Sequence, residues 1–297
     1  MSGNALGAVL MVASMGLFAL EDMWIKAVTA HLPVAQVLVI FGLGGTVICA
    51  AMALWRGEPL LPAAVRHPAM AWRAVAEIAG RLGYTLAIAL SPLSSAGAIL
   101  QATPLVVTLG AAAIFGERVG WRRWLAICLG FLGVLIVLRP WGAGFNMASV
   151  FAVIGMLGFA GRDLATRAAP RGLSHAVLGF YGFAMLVASG LMLAVFWGEA
   201  WLMPSTGDAL RLAAATVVGV AAYLMLTAAM RMGEVGVIAP FRYTRLVFAI
   251  ALGVLVFDER IDAAMIAGSV LIVGSGLFTL LRSRRVNRQV NQPVGPA

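Results

Sequence analysis

The tetrapeptide Phe115-Gly116-Glu117-Arg118 returns 142 residues later as Phe257-Asp258-Glu259-Arg260, and that recurrence decides the fold. Two more blocks keep almost the same offset. Phe18-Ala19, Asp22, Lys26 and Ala27 are echoed 141 residues on by Phe159-Ala160, Asp163, Arg167 and Ala168, while Leu82, Thr85 and Ala87 recur at 142 as Leu224, Thr227 and Ala229. A single match could arise by chance in a chain so rich in Ala and Leu. Three blocks in the same order mark an internal duplication, which in a membrane protein is a hallmark of secondary transporters.

The composition requires a membrane. With 62% hydrophobic and 11% charged residues and a mean hydropathy of +0.98, the chain lies outside the soluble range. Apolar stretches long enough to span the hydrocarbon run over residues 5–28, 33–54, 70–90, 94–116, 123–139, 148–166, 175–197, 209–230, 235–257 and 262–281. The expected fold is an all-α membrane protein of ten transmembrane helices in a five-plus-five arrangement. Residues 1–140 form the first repeat, 141–282 the second, and 283–297 a disordered cytoplasmic tail. No Lys or Arg precedes the first segment, so it is read as a retained helix rather than a cleaved signal.

Charge sets the orientation. With a cytoplasmic N-terminus, the inner connections hold Arg56, Arg66, Arg73, Arg118, Arg122, Arg123, Arg167, Arg171, Arg231, Arg282, Arg284, Arg285 and Arg288, against Lys26, Arg139, Arg211 and Arg260 outside. Both termini are therefore expected in the cytoplasm. Five helices per repeat is an odd number, so the second repeat enters from the opposite face and the repeats are inverted. The same rule accounts for the pI near 10.9 without any nucleic-acid partner.

An ion at mid-membrane costs about 2.5–3.5 kcal/mol on insertion scales and usually faces a bundle interior. Helices 2, 5, 7 and 10 are essentially free of charge within their spans, whereas 1, 3, 4, 6, 8 and 9 carry the polar residues. The latter six are expected to line a central cavity, with the other four outside as a scaffold or a dimer surface. In helix 3, Glu77, Arg81 and Tyr84 share one face, and the repeat maps Arg81 onto Tyr223. Arg81 reads either as a mid-membrane anchor for an anionic group or as a structural ion-pair partner of Glu77.

Gln101, Pro104 and Thr108 share a face of helix 4, and Gln101 maps onto Tyr243 near Pro240, Arg242 and Arg245. Each proline removes one backbone hydrogen bond, so Pro104 and Pro240 are candidate hinges, with a plain packing kink as the alternative. Arg242 and Arg245 stand near a helix end, where arginines snorkel. Glu21, Asp22 and Trp24 cluster in helix 1, with Arg162 and Asp163 at the matching place in helix 6. Read functionally, Glu21 or Asp22 meets an ammonium and Arg162 a carboxylate, while Trp24 and Tyr84 stack on a flat solute; read structurally, they are gates or ion pairs.

Several chemistries drop out. There is no phosphate-binding GxxxxGK[ST] loop and no HExxH zinc motif. His31, His67 and His175 are isolated, and Cys49 and Cys128 fall within spans, so no metal site, cofactor, disulfide or catalytic pair is expected and the chain is read as a non-enzyme.

Ten short helices, the five-plus-five inverted repeat, a Pro-bearing fourth helix in each half and the Phe-x-Glu-Arg closure at 115–118 and 257–260 resemble the EamA-type branch of the drug/metabolite transporter superfamily. The resemblance covers about residues 5–281 and is closest to bacterial exporters of aromatic and other amino acids. It implies a bacterial inner-membrane exporter of amino acids or similar small metabolites that works by alternating access. The rival reading is a transporter of cationic drugs, nucleosides or nucleotide-linked metabolites. The resemblance supplies no residue-level substrate motif; Glu21, Asp22, Trp24, Arg81, Tyr84, Gln101, Arg162, Tyr223 and Tyr243 are candidates by depth, face and symmetry alone.

Overall fold

The repeated Phe-x-Glu-Arg motif is a helix stop. At Asp258 the backbone turns left-handed (φ 52°) and the Glu259 N–H reaches back to the Gly253 carbonyl at 3.0 Å, while Gly116 takes the same conformation (φ 66°) at the end of the matching helix. This six-to-one closure satisfies carbonyls that the last turn leaves open, and it calls for Gly or a small polar residue at the x position. Glu117 and Arg118 lie outside the described residues. The computed structural model describes residues 3–116, 120–140, 147–169, 173–198, 200–232 and 238–290, without the side chains of Met147, Arg231 and residues 280–290.

The first repeat contains α1 (Gly3–Thr29), α2 (Val34–Trp55), α3 (Pro68–Leu90), α4 (Leu93–Phe115) and α5 (Trp121–Leu138). The second contains α6 (Met147–Ala168), α7 (His175–Trp197), α8 (Thr206–Met232), α9 (Ala239–Phe257) and α10 (Ala263–Val290). Among the described residues the only other regular element is a short 3₁₀ turn at Ala63–Arg66, and no strand occurs. Eight of these helices are long and apolar enough to cross a membrane. The other two are α3, which carries Arg73, Glu77 and Arg81 along its length, and α10, whose apolar part is the shorter Ala263–Thr279. Over residues 283–290, within the 283–297 segment expected as a disordered tail, the backbone of α10 is helical; residues 291–297 lie outside the described residues.

Both fourth helices are irregular at their prolines. α4 consists of Leu93–Leu100 and Thr103–Phe115, joined by a turn at Gln101-Ala102 just before Pro104, and α9 opens with a 3₁₀ turn, Ala239–Tyr243, that contains Pro240. A proline that cannot donate its N–H removes one rung of the ladder, and the helix adjusts at that point.

Packing follows the duplication. The dominant partners are α3 with α6, α2 with α7, α1 with α8 and α5 with α10. Exchanging helices 1–5 with 6–10 interchanges the α1–α8 and α3–α6 pairs and turns α2–α7 and α5–α10 each into itself. In lipid, helices associate through close packing, so small residues sit at the crossings. A Cβ on Gly158 would lie 2.2 Å from the Gly80 nitrogen, and one on Gly133 2.7 Å from the Gly268 carbonyl oxygen, so the backbones touch there. At the α1–α8 crossing the corresponding tie is a side-chain bond, Ser14 Oγ donating to the Ala222 carbonyl at 2.7 Å.

Candidate functional site

Six helices, α1, α3, α4, α6, α8 and α9, surround an open cavity of about 90 Å³, and among the described residues α2, α5, α7 and α10 contribute nothing to its wall. The wall takes Arg81 from α3, Gln101 and Pro104 from α4, Arg162 from α6, Tyr223 from α8, and Arg242, Tyr243 and Arg245 from α9. Phe18 and Phe159, which the duplication makes equivalent, also face it. Each carries a guanidinium on its ring: Arg245 lies 5.0 Å from the Phe18 centroid, and Arg162 and Arg81 lie 4.8 and 5.7 Å from that of Phe159. Among the described residues, no Asp or Glu lines the cavity.

The acids lie behind the arginines. Arg81 Nη1 donates to Glu21 Oε1 at 3.1 Å, and Arg245 Nη2 donates to Asp22 Oδ2 at 2.6 Å. Glu77 is shared by Arg73 and Arg162, each at 3.4 Å, with Arg81 at 3.9 Å. Arg162 also binds Asp163 through Nε and Nη2, at 3.0 and 2.9 Å, and Arg242 stands 3.8 Å from the other Asp163 oxygen. Buried charge is tolerated when it is paired and hydrogen-bonded in this way. Here it also fixes four guanidinium groups around one space, where planar donors match carboxylate oxygens.

The candidates separate into two groups. Arg81, Gln101, Arg162, Tyr223, Tyr243 and Pro104 reach the cavity; Glu21, Asp22, Trp24, Tyr84 and Pro240 are not on its wall. Glu21 is fully buried and Asp22 nearly so, each spent on an arginine rather than open to an ammonium. Tyr84 is buried behind the wall, where its hydroxyl donates to Asp22 at 3.0 Å and its ring meets Phe159 edge-on at 6.1 Å. Trp24 packs on the apolar core. The Gln101 amide donates to the Arg242 carbonyl at 3.1 Å, tying the break in α4 to the irregular start of α9. Tyr243 turns its hydroxyl toward Gly276, where it has no hydrogen-bond partner.

Two arginines are relocated by the structure. Arg73, counted above as a cytoplasmic loop residue, is 4% exposed; it binds Glu77 and donates to Thr166 at 3.1 Å. Its place one turn before Glu77 and two turns before Arg81 put it on the same stripe, a spacing that could have found it. Arg245 does not snorkel, because Asp22 holds it from 223 residues away.

One end of the bundle is sealed. Lys26 at the end of α1 donates to the carbonyls of Ile88 and Ser91, at 2.9 and 2.6 Å, and lies 5.2 Å from the Phe257 centroid. The Glu259 carboxylate accepts from the N–H groups of Leu93 and Ser94, at 2.5 and 3.0 Å, and from the Ser94 hydroxyl at 2.5 Å. An anion at a helix N-terminus meets unsatisfied donors and the positive end of the helix dipole. Glu259 thus clamps the exit of α9 onto the entry of α4, with Lys26 4.0 Å away.

Comparison with known proteins agrees with this architecture. The model of the EamA-like transporter family matches residues 5–139 and again 146–281, one match per repeat. A pseudopaline exporter, CntI, of Pseudomonas aeruginosa is 30% identical over 276 residues, covering 90% of this chain and 93% of that one. An S-adenosylmethionine uptake transporter of Rickettsia conorii is 25% identical over 211 residues, 71% of each chain. A riboflavin transporter of Vibrio cholerae is 28% identical over 202 residues, 67% of each. A solved crystal structure shares the fold alone, with a TM-score of 0.63 and 21% identity over 94% of this chain and 98% of that one. Matched by the family model across both repeats, the chain belongs to the EamA-like transporter family and is a multi-pass protein of the bacterial inner membrane, of the kind that moves small metabolites.

Proposed function

We propose that this protein is a secondary transporter that exports amino acids, aromatic ones among them, or similar small metabolites by alternating access. The observation that carries the reading is the cavity wall: six helices drawn from both repeats place Arg81 and Arg162 beside Phe159, with Tyr223 and Tyr243 nearby. A carboxylate would dock on the two guanidinium groups and an apolar or aromatic side chain on the rings. All ten helices cross the membrane in this reading, with the repeats inverted and both termini cytoplasmic, as the arginine asymmetry supports. The breaks at Pro104 and Pro240 serve as hinges, and the charge-free α2, α5, α7 and α10 form a scaffold or a homo-oligomer surface.

A second reading is favoured by the relatives' names, which span S-adenosylmethionine, riboflavin and pseudopaline: the solute is another metabolite and the same cavity takes it. One panel separates the two. Purified protein in liposomes is offered radiolabelled amino acids, nucleosides and cationic drugs, with and without a pH gradient. Amino-acid flux that Arg81→Gln and Arg162→Gln abolish supports the first reading; flux confined to the other solutes supports the second. Cysteine labelling that reaches the C-terminal tail only from the periplasm would overturn the ten-span topology.

A further inference from the structure

We propose that the cavity selects solutes of net negative charge, an organic anion without a free ammonium, rather than zwitterions or cations. The inference rests on the reading of this cavity as the solute site and narrows the solutes proposed above to the anionic ones: N-acylated or otherwise ammonium-free derivatives and similar organic acids in place of free zwitterionic amino acids. Its basis is a charge imbalance among the described residues. Five guanidinium groups, on Arg73, Arg81, Arg162, Arg242 and Arg245, share four carboxylates, those of Glu21, Asp22, Glu77 and Asp163. Arginine stays protonated in proteins, so protonation of any of the four acids only enlarges the excess. The surplus falls on the loosest member: Arg242 is a third exposed, and its nearest carboxylate stands 3.8 Å away and is already held by Arg162 through two closer bonds.

An uncompensated cation within a membrane is costly and attracts a counter-charge. Among the described residues the wall offers a positive group little. Glu21 and Asp22 are buried behind Arg81 and Arg245, Glu77 is enclosed by three arginines, and none of the four acids is on the wall. An ammonium entering it would meet four guanidinium groups, and the one partly exposed acid, Asp163, is already held between Arg162 and Arg242. An anion with an apolar or flat body satisfies both features of the wall, the surplus charge at Arg242, Arg162 and Arg81 and the rings of Phe18, Phe159 and Tyr223. Carboxylate and phosphate share this chemistry.

The test is the thermal unfolding of purified protein, in a buffer without halide, against four solutes built on one ring: N-acetyl-L-phenylalanine, phenyl phosphate, L-phenylalanine and L-phenylalaninamide. The two anions are expected to stabilise at concentrations at least tenfold below the zwitterion, their ranking telling carboxylate from phosphate, with the amide inactive. Arg242→Gln removes the surplus without stranding an acid, because Asp163 keeps Arg162. That variant is expected to unfold at the parent's temperature and to need at least tenfold more anion for the same shift. Stronger stabilisation by the zwitterion or the amide, silence of both anions, an unchanged response in Arg242→Gln, or full stabilisation by chloride alone would each overturn the proposal. Flux of a neutral or cationic solute in liposomes would overturn it too, while leaving the transporter reading intact.

Discussion

The two ends of this bundle are built from matching residues and are buried to different extents. At one, Lys26 lies over Phe257 and is mostly buried, with Leu93, Ser94 and Ser91 packed closed around Glu259. At the other, the equivalent pair Arg167 and Phe115 keeps the same ring contact, at 4.8 Å, but is exposed, as is Gly116. The same cation-on-ring contact is thus buried at one end and exposed at the other; Glu117, Val235 and Gly236, the repeat counterparts of Glu259, Leu93 and Ser94, lie outside the described residues. Under the proposed alternating access a duplicated chain would have two ways to close about a fixed central site.

The largest expected effect comes from the centre on which both ends pivot. Arg81→Gln strands the fully buried Glu21, whose other oxygen already lacks a partner, so the variant should lose about 3–5 kcal/mol of stability. Glu21→Gln/Arg81→Gln should recover the fold, read by thermal unfolding, and recovery of transport as well would remove Arg81 from solute binding. The structure makes Glu21 the compensating position rather than Glu77, which keeps Arg73 and Arg162.

Glu259→Ala should break the sealed end. It leaves three donors on α4 without their acceptor, at about 1.5–3 kcal/mol for a bond to a charged group. A cysteine at Gln101 should then react with an impermeant thiol reagent from the side of the α1–α2 turn. Protection equal to the parent's would show that the clamp is not the seal.

Smaller still is the contrast between the symmetric cations. Lys26→Met loses two carbonyl bonds and should cost about 1–3 kcal/mol. Arg167→Met, at an exposed ring contact worth about 0.5–1 kcal/mol, should shift unfolding less than Lys26→Met and still slow transport. Equal effects of the two on unfolding would erase the asymmetry of the ends.

The smallest effect is on pH. Arg139 and Asp262 pair between the α5 and α10 ends, a tie that the opposite end lacks because the repeat puts Gly120 and Leu281 there. The hydrogen bond from Arg139 holds the Asp262 carboxyl below its ordinary range. A depressed acid contributes stability above its unfolded value, lost as pH falls through its folded value. Between neutral pH and about pH 3, Asp262→Asn should therefore flatten the stability profile slightly. Both groups are well exposed, so the change should be close to the limit of measurement.

Much of this was legible in one dimension. Arg81, Gln101, Arg162, Tyr223 and Tyr243 were found because a polar residue inside an apolar span needs a polar place to go, and the 142-residue offset aligned the two halves. Glu21 and Asp22 were legible as residues, but the choice between an ammonium contact and an ion pair was not. An acid next to Trp24 looks available to a ligand until a helix 60 residues on delivers Arg81 to one and a helix 223 residues on delivers Arg245 to the other. Arg245 escaped notice because distance from a helix end is compatible with snorkelling as well as burial.

What the sequence determined by itself is the class, the duplication, the positions of the breaks and which six helices are polar. These are properties of hydropathy, proline and repetition, and they act locally along the chain. Only the tertiary structure decided which arginine neutralises which acid, that the acids lie behind the cavity wall and the guanidinium groups on it, and which end is shut. Those outcomes depend on distances across helix crossings such as Gly80 against Gly158, and a duplicated sequence is equally consistent with either end being closed.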